Sequence, residues 1–484
     1  KMIKKAYDNI KRKPMLLNVI SAIILQFSTV AMEFIVSKAT IQFFGSNVNG
    51  LITSLTQFLS YITLVEGGIT GVIIASLYAP LARKDNSKIA SIIFTSKKFY
   101  NRVSLFFVFY TIILAVSYPF FVKTGFSFNF ILLLTFILSI SLFTQYAFAI
   151  TYKALLTADK KSYVAAFAQT FTQILTIVIS LISLYLVPNI HLFKLVGAIM
   201  FIFQPIVYSV YVNKHYKFKN KNTIEKDKKL IKSRWDGLTM SVASFVHRSS
   251  DVIVLTLFSN LAKVSVYGVY SLIASGIRAT INMVLNSLMP SVGHAYISGD
   301  EREINEKMDI YEFVTMFLVF YLFTVASLLI VPFVMLYTHG VSDANYNQPL
   351  FGVLILLSEA VHLIKTPHLN LAYSANKFKE ITKPAFFEAI INIILSIILV
   401  RQFGLVGVAI GTIIAMLYRL IFHVKFTKTI IKNRHQSIFY KKLSIFCLAT
   451  LFTLVICWIL IPLPKFNIKD WIIHAVMYSV LFFV

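Results

Sequence analysis

The sequence predicts an all-α integral membrane protein of about fourteen spanning helices, built as two parallel six-helix bundles followed by two C-terminal helices. Three observations carry this. The 484 residues are 57% hydrophobic and only 14% charged, well under the share of charge in a soluble domain. Apolar runs long enough to cross a bilayer recur along the whole chain. The Lys and Arg residues collect in alternate connections between those runs.

The apolar segments are 15–41, 48–81, 103–122, 130–152, 163–187, 195–213, 237–259, 266–293, 311–337, 349–371, 384–400, 404–424, 443–462 and 471–484. They are uninterrupted and lack period-two alternation, which points to helices rather than a barrel. The basic start (Lys4, Lys5, Lys11, Arg12, Lys13) leads into a run too long for a signal peptide, and that run reads as the first helix. Cys447 and Cys457 share one apolar segment. Ten residues apart on a helix, they do not pair, so no disulfide framework or metal site is expected.

With the N-terminus inside, 35 of the 46 Lys and Arg residues fall in inner connections, 6 in outer ones and 5 within spans. This bias predicts a multi-pass protein of the cell (inner) membrane with a cytoplasmic N-terminus. It accounts for most of the +26 formal charge without a nucleic-acid partner. The inner lysines also suit membrane lipids of the anionic leaflet.

Residues 14–213 and 233–427 read as two copies of one unit. A shift of 218 brings Glu33-Phe-Ile-Val onto Asp251-Val-Ile-Val, Val48-Asn-Gly50 onto Val266-Tyr-Gly268, and Tyr78 onto Tyr296. Later, Leu195-Val-Gly-Ala198 matches Leu405-Val-Gly-Val408. Six helices per copy leave both copies pointing the same way, related by an axis along the membrane normal. The expected domains are a bundle over 1–213, a basic cytoplasmic linker over 214–235, a second bundle over 236–427, and a loop with helices 13 and 14 over 428–484. In such an architecture the substrate site lies near mid-membrane between the bundles.

Charges inside the spans are costly, and so are the places to look for function. The cations are Lys38, Arg248, Arg278, Lys365 and Arg419; the acids are Glu33, Glu66, Asp251, Glu359 and Glu388. Arg248 and Asp251, three apart on one helix, read either as a self-neutralising ion pair or as cleft groups. Arg278 has no acid within four residues and is the stronger candidate for holding an anion. Lys38, Arg419 and Glu388 sit near predicted helix ends and are expected to reach out to the membrane edge. Glu359, His362, Lys365 and His368 form a polar stripe on the tenth helix, either a wet lining or a helix–helix hydrogen-bond seam, with Pro367 as a kink point. Glu66-Gly-Gly marks a bend or a close-packing point in the long second span. Glu33, Glu66, Asp251 and Glu359 are the candidate cleft or coupling acids, and no metal ligand set or Walker loop is present. An enzyme is not expected.

The stretch Phe44-Gly-Ser-Asn-Val-Asn-Gly50, the pair Glu66-Gly67, and the run Leu77, Tyr78, Leu81, Ala82, Asp85 resemble the polysaccharide-transporter branch of the MATE-like MOP flippase superfamily. In particular they resemble Wzx-type flippases. That resemblance implies a MATE/MOP-like fold. The implied function is outward alternating-access movement of undecaprenyl-diphosphate-linked oligosaccharide repeat units for capsule, exopolysaccharide or O-antigen synthesis. Arg248, Arg278 and Lys365 would be the diphosphate ligands and His362 part of the polar lining. No cofactor is implied beyond H+ or Na+ coupling. The implied partners are the lipid-linked glycan and the polysaccharide polymerase and chain-length machinery. The alternative is a MATE-type cation-coupled drug or solute antiporter. A major-facilitator permease is disfavoured because Leu81-Ala-Arg-Lys-Asp-Asn-Ser-Lys88 replaces its characteristic loop, and a polymerase because the outer loops are short.

Overall fold

The computed structural model describes residues 14–66, 68–216, 249–461 and 467–482. These residues are helical almost throughout and contain no strand. Among them, 11 helices are long and apolar enough to cross a membrane, and the apolar helices Ile69–Ala82 and Ser249–Phe258 are shorter. Large apolar side chains such as Leu105, Phe106, Phe109 and Ile113 point outward, as a lipid-facing surface requires.

The chain divides into two compact units, Lys1–Phe44 with Leu51–Phe245, and Gly45–Gly50 with Val246–Val484. In the first unit the helices are α1 (Pro14–Leu59), α2 (Ile62–Glu66), α3 (Ile69–Ala82), α4 (Asn86–Phe121) and α5 (Phe128–Thr144). A π-helical turn, Gln145–Ala149, leads into α6 (Ile150–Ala158), followed by α7 (Ser162–Leu186), α8 (Ile190–Phe201) and α9 (Phe203–His215). The second unit holds α10 (Ser249–Phe258), α11 (Leu261–Ser298), α12 (Glu301–Tyr337), α13 (Pro349–Ile364) and α14 (Thr366–Ser374). It continues with α15 (Phe378–Phe403), α16 (Leu405–Ile430), α17 (Gln436–Leu460) and α18 (Ile468–Leu481). Most of the linker expected over 214–235 lies outside the described residues.

Helix starts follow from capping side chains. Asp85 accepts from Lys88 N at 2.9 Å, Asn260 from Lys263 N at 2.9 Å, and Asp300 from Arg302 N at 2.8 Å. The breaks follow from Gly and Pro. Gly68 takes a left-handed φ of 72° between α2 and α3, which is the bend expected beside Glu66. Pro367, at the start of α14, cannot donate to the preceding turn, and α13 gives way to α14 at Lys365.

The first two predicted spans are not separated by a loop; α1 runs through the first and on into the second, to Leu59, and kinks at Gly45 (φ 83°, ψ 170°). Only glycine populates that conformation readily. The kink frees the Ser46 N–H, which donates to Asp343 Oδ2 at 2.6 Å, while Ser46 Oγ donates to Asp343 Oδ1 at 2.6 Å. Tyr346 OH bridges Ser46 Oγ (2.8 Å) and Ser265 Oγ (2.9 Å); burial raises its phenol pKa above the usual value. A Cβ on Gly50 would lie 1.9 Å from the Leu261 carbonyl oxygen, so the backbones meet there. Gly45–Gly50 is therefore part of the second unit although its helix is mostly in the first.

The α15–α16 hairpin is equally tight. Gly407 and Gly411 form a Gly-x-x-x-Gly pair on α16; a Cβ on Gly407 would fall 2.3 Å from Leu399 O, and one on Gly411 2.8 Å from Ser396 Oγ. Small residues at this spacing let membrane helices approach closely. A Gly407→Ala variant is expected to lose about 1–3 kcal/mol, read as a lower melting temperature of the detergent-purified protein.

Candidate functional site

Arg278 lies near the middle of α11 and pairs with Glu359 of α13 through Nη1 and Oε1. The side chains are 24% and 16% exposed, so the pair is shielded but reachable. Glu359 satisfies one side of the fork and leaves the guanidinium's other N–H groups for a second acceptor.

The rest of the polar stripe turns inward. Lys365 is 1% exposed, and its Nζ lies 3.2 Å from His362 Nδ1 and 3.5 Å from Met416 Sδ. His368 is 2% exposed and its Nδ1 lies 2.8 Å from Thr427 Oγ1. His368 Nε2 faces Glu312 at 3.6 Å, and Glu312 is held by Arg434 at 2.8 Å and Lys442 at 3.1 Å. From Lys365 onward the stripe is therefore a helix–helix seam, not a wet lining; the Glu359 end alone is partly open.

Arg419 and Glu388 do not reach to the membrane edge. They form an ion pair whose side chains are 7% and 1% exposed, with His423 Nε2 3.4 Å from Arg419 Nε. The reason is helix length. α16 extends to Ile430 and α15 begins at Phe378, beyond the predicted ends, so both groups sit well inside their helices.

Asp251 is buried and receives only neutral hydrogen bonds among those described. Thr412 Oγ1 lies 3.0 and 3.1 Å from its two oxygens, and Tyr267 OH donates at 3.0 Å. Asn392 Nδ2 donates to Thr412 Oγ1 at 3.3 Å and Ser396 Oγ to Asn392 Oδ1 at 3.0 Å. This is an oxygen-rich pocket that suits a proton or a small hard cation. Tyr267 and Arg278 lie eleven residues apart on α11, three turns along one face, with a helical rise of about 16 Å between their Cα atoms, and the Tyr267 side chain is in electrostatic reach of both Arg278 and Glu359. No group of three or more His, Cys, Asp or Glu with metal-site geometry occurs among the described residues.

In the first unit, Glu66 accepts from Thr70 Oγ1 and from Tyr146 OH at 3.3 Å, and Tyr100 OH lies 2.6 Å from Thr70 Oγ1. Tyr146 sits on the π-helical turn, a local widening that often marks functional positions. Glu33 is exposed on α1, an environment unlike that of Asp251, its repeat counterpart. Arg248 and the reading that pairs it with Asp251 lie outside the described residues. Sequence reasoning missed the Thr412, Asn392 and Tyr267 shell, because neutral hydroxyl and amide groups on apolar helices carry no charge signal. It also missed the Arg434–Lys442–Asp309–Glu312 knot, whose members lie in what read as inner loops and helix ends.

No family model matches the chain and no curated protein does. Solved structures do. A lipid II flippase MurJ in an inward closed conformation superposes with a TM-score of 0.73 at 16% identity, covering 96% of this chain and 98% of that one. A point mutant of the Vibrio cholerae MATE transporter VcmN gives 0.61 at 13% identity over 87% of this chain and 98% of its own. An inward-facing multidrug resistance MATE family transporter of the MOP superfamily gives 0.57 at 14% identity over 85% and 96%. Likeness at these identities speaks to the fold alone: this multi-pass membrane protein folds like the flippase and the MATE transporters.

Proposed function

We propose that the chain is a flippase that moves undecaprenyl-diphosphate-linked oligosaccharide repeat units across the bacterial inner membrane by alternating access. The observation that carries this reading is the extent of the fold match. The flippase structure covers 96% of the chain, whereas the two MATE transporters cover 85% and 87%. Arg278 supports it, as a half-shielded guanidinium suited to a diphosphate. A negative-inside potential would favour outward passage of an anion by about 2.3 kcal/mol per charge per 100 mV.

Coupling to H+ or Na+ would run through Asp251 or Glu66. Both are shielded carboxylates held by neutral hydroxyls. The same feature favours the second reading, a cation-coupled antiporter, since such an exporter needs a carboxylate to load. Deleting the gene in its host separates the two. Undecaprenyl-linked repeat units are expected to accumulate on the inner face; continued appearance at the outer face with raised drug sensitivity would favour the exporter.

A further inference from the structure

The second unit holds another basic recess, at the start of α11 and about four helical turns from Arg278. A cavity of about 500 Å³ is lined by, among others, Asn260, Lys263, Asn345, Gln348, Arg401 and Gly404. Among the described residues, no acidic side chain lines it. Asp343, on the same connection as Asn345, is engaged by Ser46.

Three of the described helices begin at this recess: α11 after Asn260, α13 after Gln348 and α16 after Gly404. Asn260 caps α11 with its own side chain, but α13 and α16 have no side-chain cap among the described residues. α13 opens on Pro349, which has no N–H to offer, but the first turn of α16, whose Leu405 and Val406 line the cavity, has N–H groups with no side-chain acceptor among the described residues. Lys263 adds to the imbalance. Its Nζ lies only 3.3 Å from where a Cβ on Gly404 would be, and Gly404 holds a φ of 56° and ψ of −125° open only to glycine. An ammonium is thereby set against the positive end of α16, the unfavourable end for a cation. Arg401 lies over the Phe258 ring at 5.7 Å and completes the basic wall. Two cations and the uncapped start of α16 around one cavity call for an anion between them.

We propose that this recess binds a phosphate ester, with Lys263 and Arg401 as ionic ligands and the first turn of α16 as the neutral donor. A phosphate has enough oxygens to meet a point cation, a planar fork and backbone N–H groups together. The volume exceeds that of a bare ion, and the carboxamides of Asn345 and Gln348 line the space where a hydroxylated substituent would sit. A glycerophosphate lipid headgroup and a soluble phosphorylated polyol share this chemistry.

The test uses full-length protein carrying Arg278→Ala, so that the flippase reading is not what is measured. Glycerol 3-phosphate is titrated calorimetrically in detergent, and phosphatidylglycerol is offered in nanodiscs otherwise of phosphatidylcholine, with retained lipid read by native mass spectrometry. Binding of either probe is expected, weakening as salt is raised. Lys263→Gln with Arg401→Gln should lower affinity at least tenfold, while Lys263→Arg should keep it. Retention of phosphatidylglycerol without glycerol 3-phosphate binding identifies a lipid headgroup as the source, and the converse a soluble ester. Binding of neither probe, or equal affinity in the folded double variant, overturns the proposal.

Discussion

On the flippase reading proposed above, Arg278→Ala is expected to reach the membrane and to slow outward movement of the lipid-linked substrate. One charge-assisted hydrogen bond to an anion contributes about 1.5–3 kcal/mol, so the variant should transport roughly ten- to a hundredfold more slowly. Its interpretation depends on Glu359, because removing Arg278 leaves that carboxylate shielded without its cation. The double variant Arg278→Ala with Glu359→Gln separates the two effects. It removes both charges of the pair, so transport that stays lost in the double variant assigns Arg278 to the substrate. Recovered transport would make the pair a structural contact only. Arg278→Lys keeps the charge but not the planar fork, and intermediate transport is expected. The measurement is the outer-face level of undecaprenyl-linked repeat units in a complemented deletion strain.

Glu388→Ala should have the largest effect on stability. It strands Arg419, whose side chain is 7% exposed, beside His423, and breaking a buried pair from one side costs about 3–5 kcal/mol. A sharp fall in melting temperature and in yield of folded protein is the expected result. Replacing both partners with apolar residues, Glu388→Leu with Arg419→Met, should recover most of the loss, since it removes the buried charge together with its partner. If the single variant melts like the parent, the pair does not hold α15 to α16.

The helices were legible in the sequence because a bilayer imposes a length and a composition on every span. The bends at Glu66–Gly68 and at Pro367 were legible for the same local reason. Partners were not. Arg278 and Glu359 stand 81 residues apart and Arg419 and Glu388 31 apart, and nothing local to one announces the other. Arg419 read as a helix-end residue because hydropathy fades before the helix does: Lys425 and Lys428 end the apolar run while α16 continues to Ile430. Likewise the polar stripe on α13 and α14 was recognisable as a stripe. Whether it faced water or protein depended on Glu312, Arg434 and Thr427, which come from other parts of the chain.

The clasp on Gly45–Gly50 has a consequence for biogenesis. Ser46 meets its acceptor Asp343 across 297 residues of sequence, and Asn49 meets Ser265 across 216. A ribosome adding about 5–20 residues per second needs roughly 15–60 s to cover the longer interval. Throughout that time the Ser46 N–H at the kink lacks the Asp343 acceptor that it has in the finished fold. The kinked segment of α1, among the first parts of the chain to be made, is thus among the last to be finished, and it must stay safe from quality-control proteases until the second half of the chain arrives.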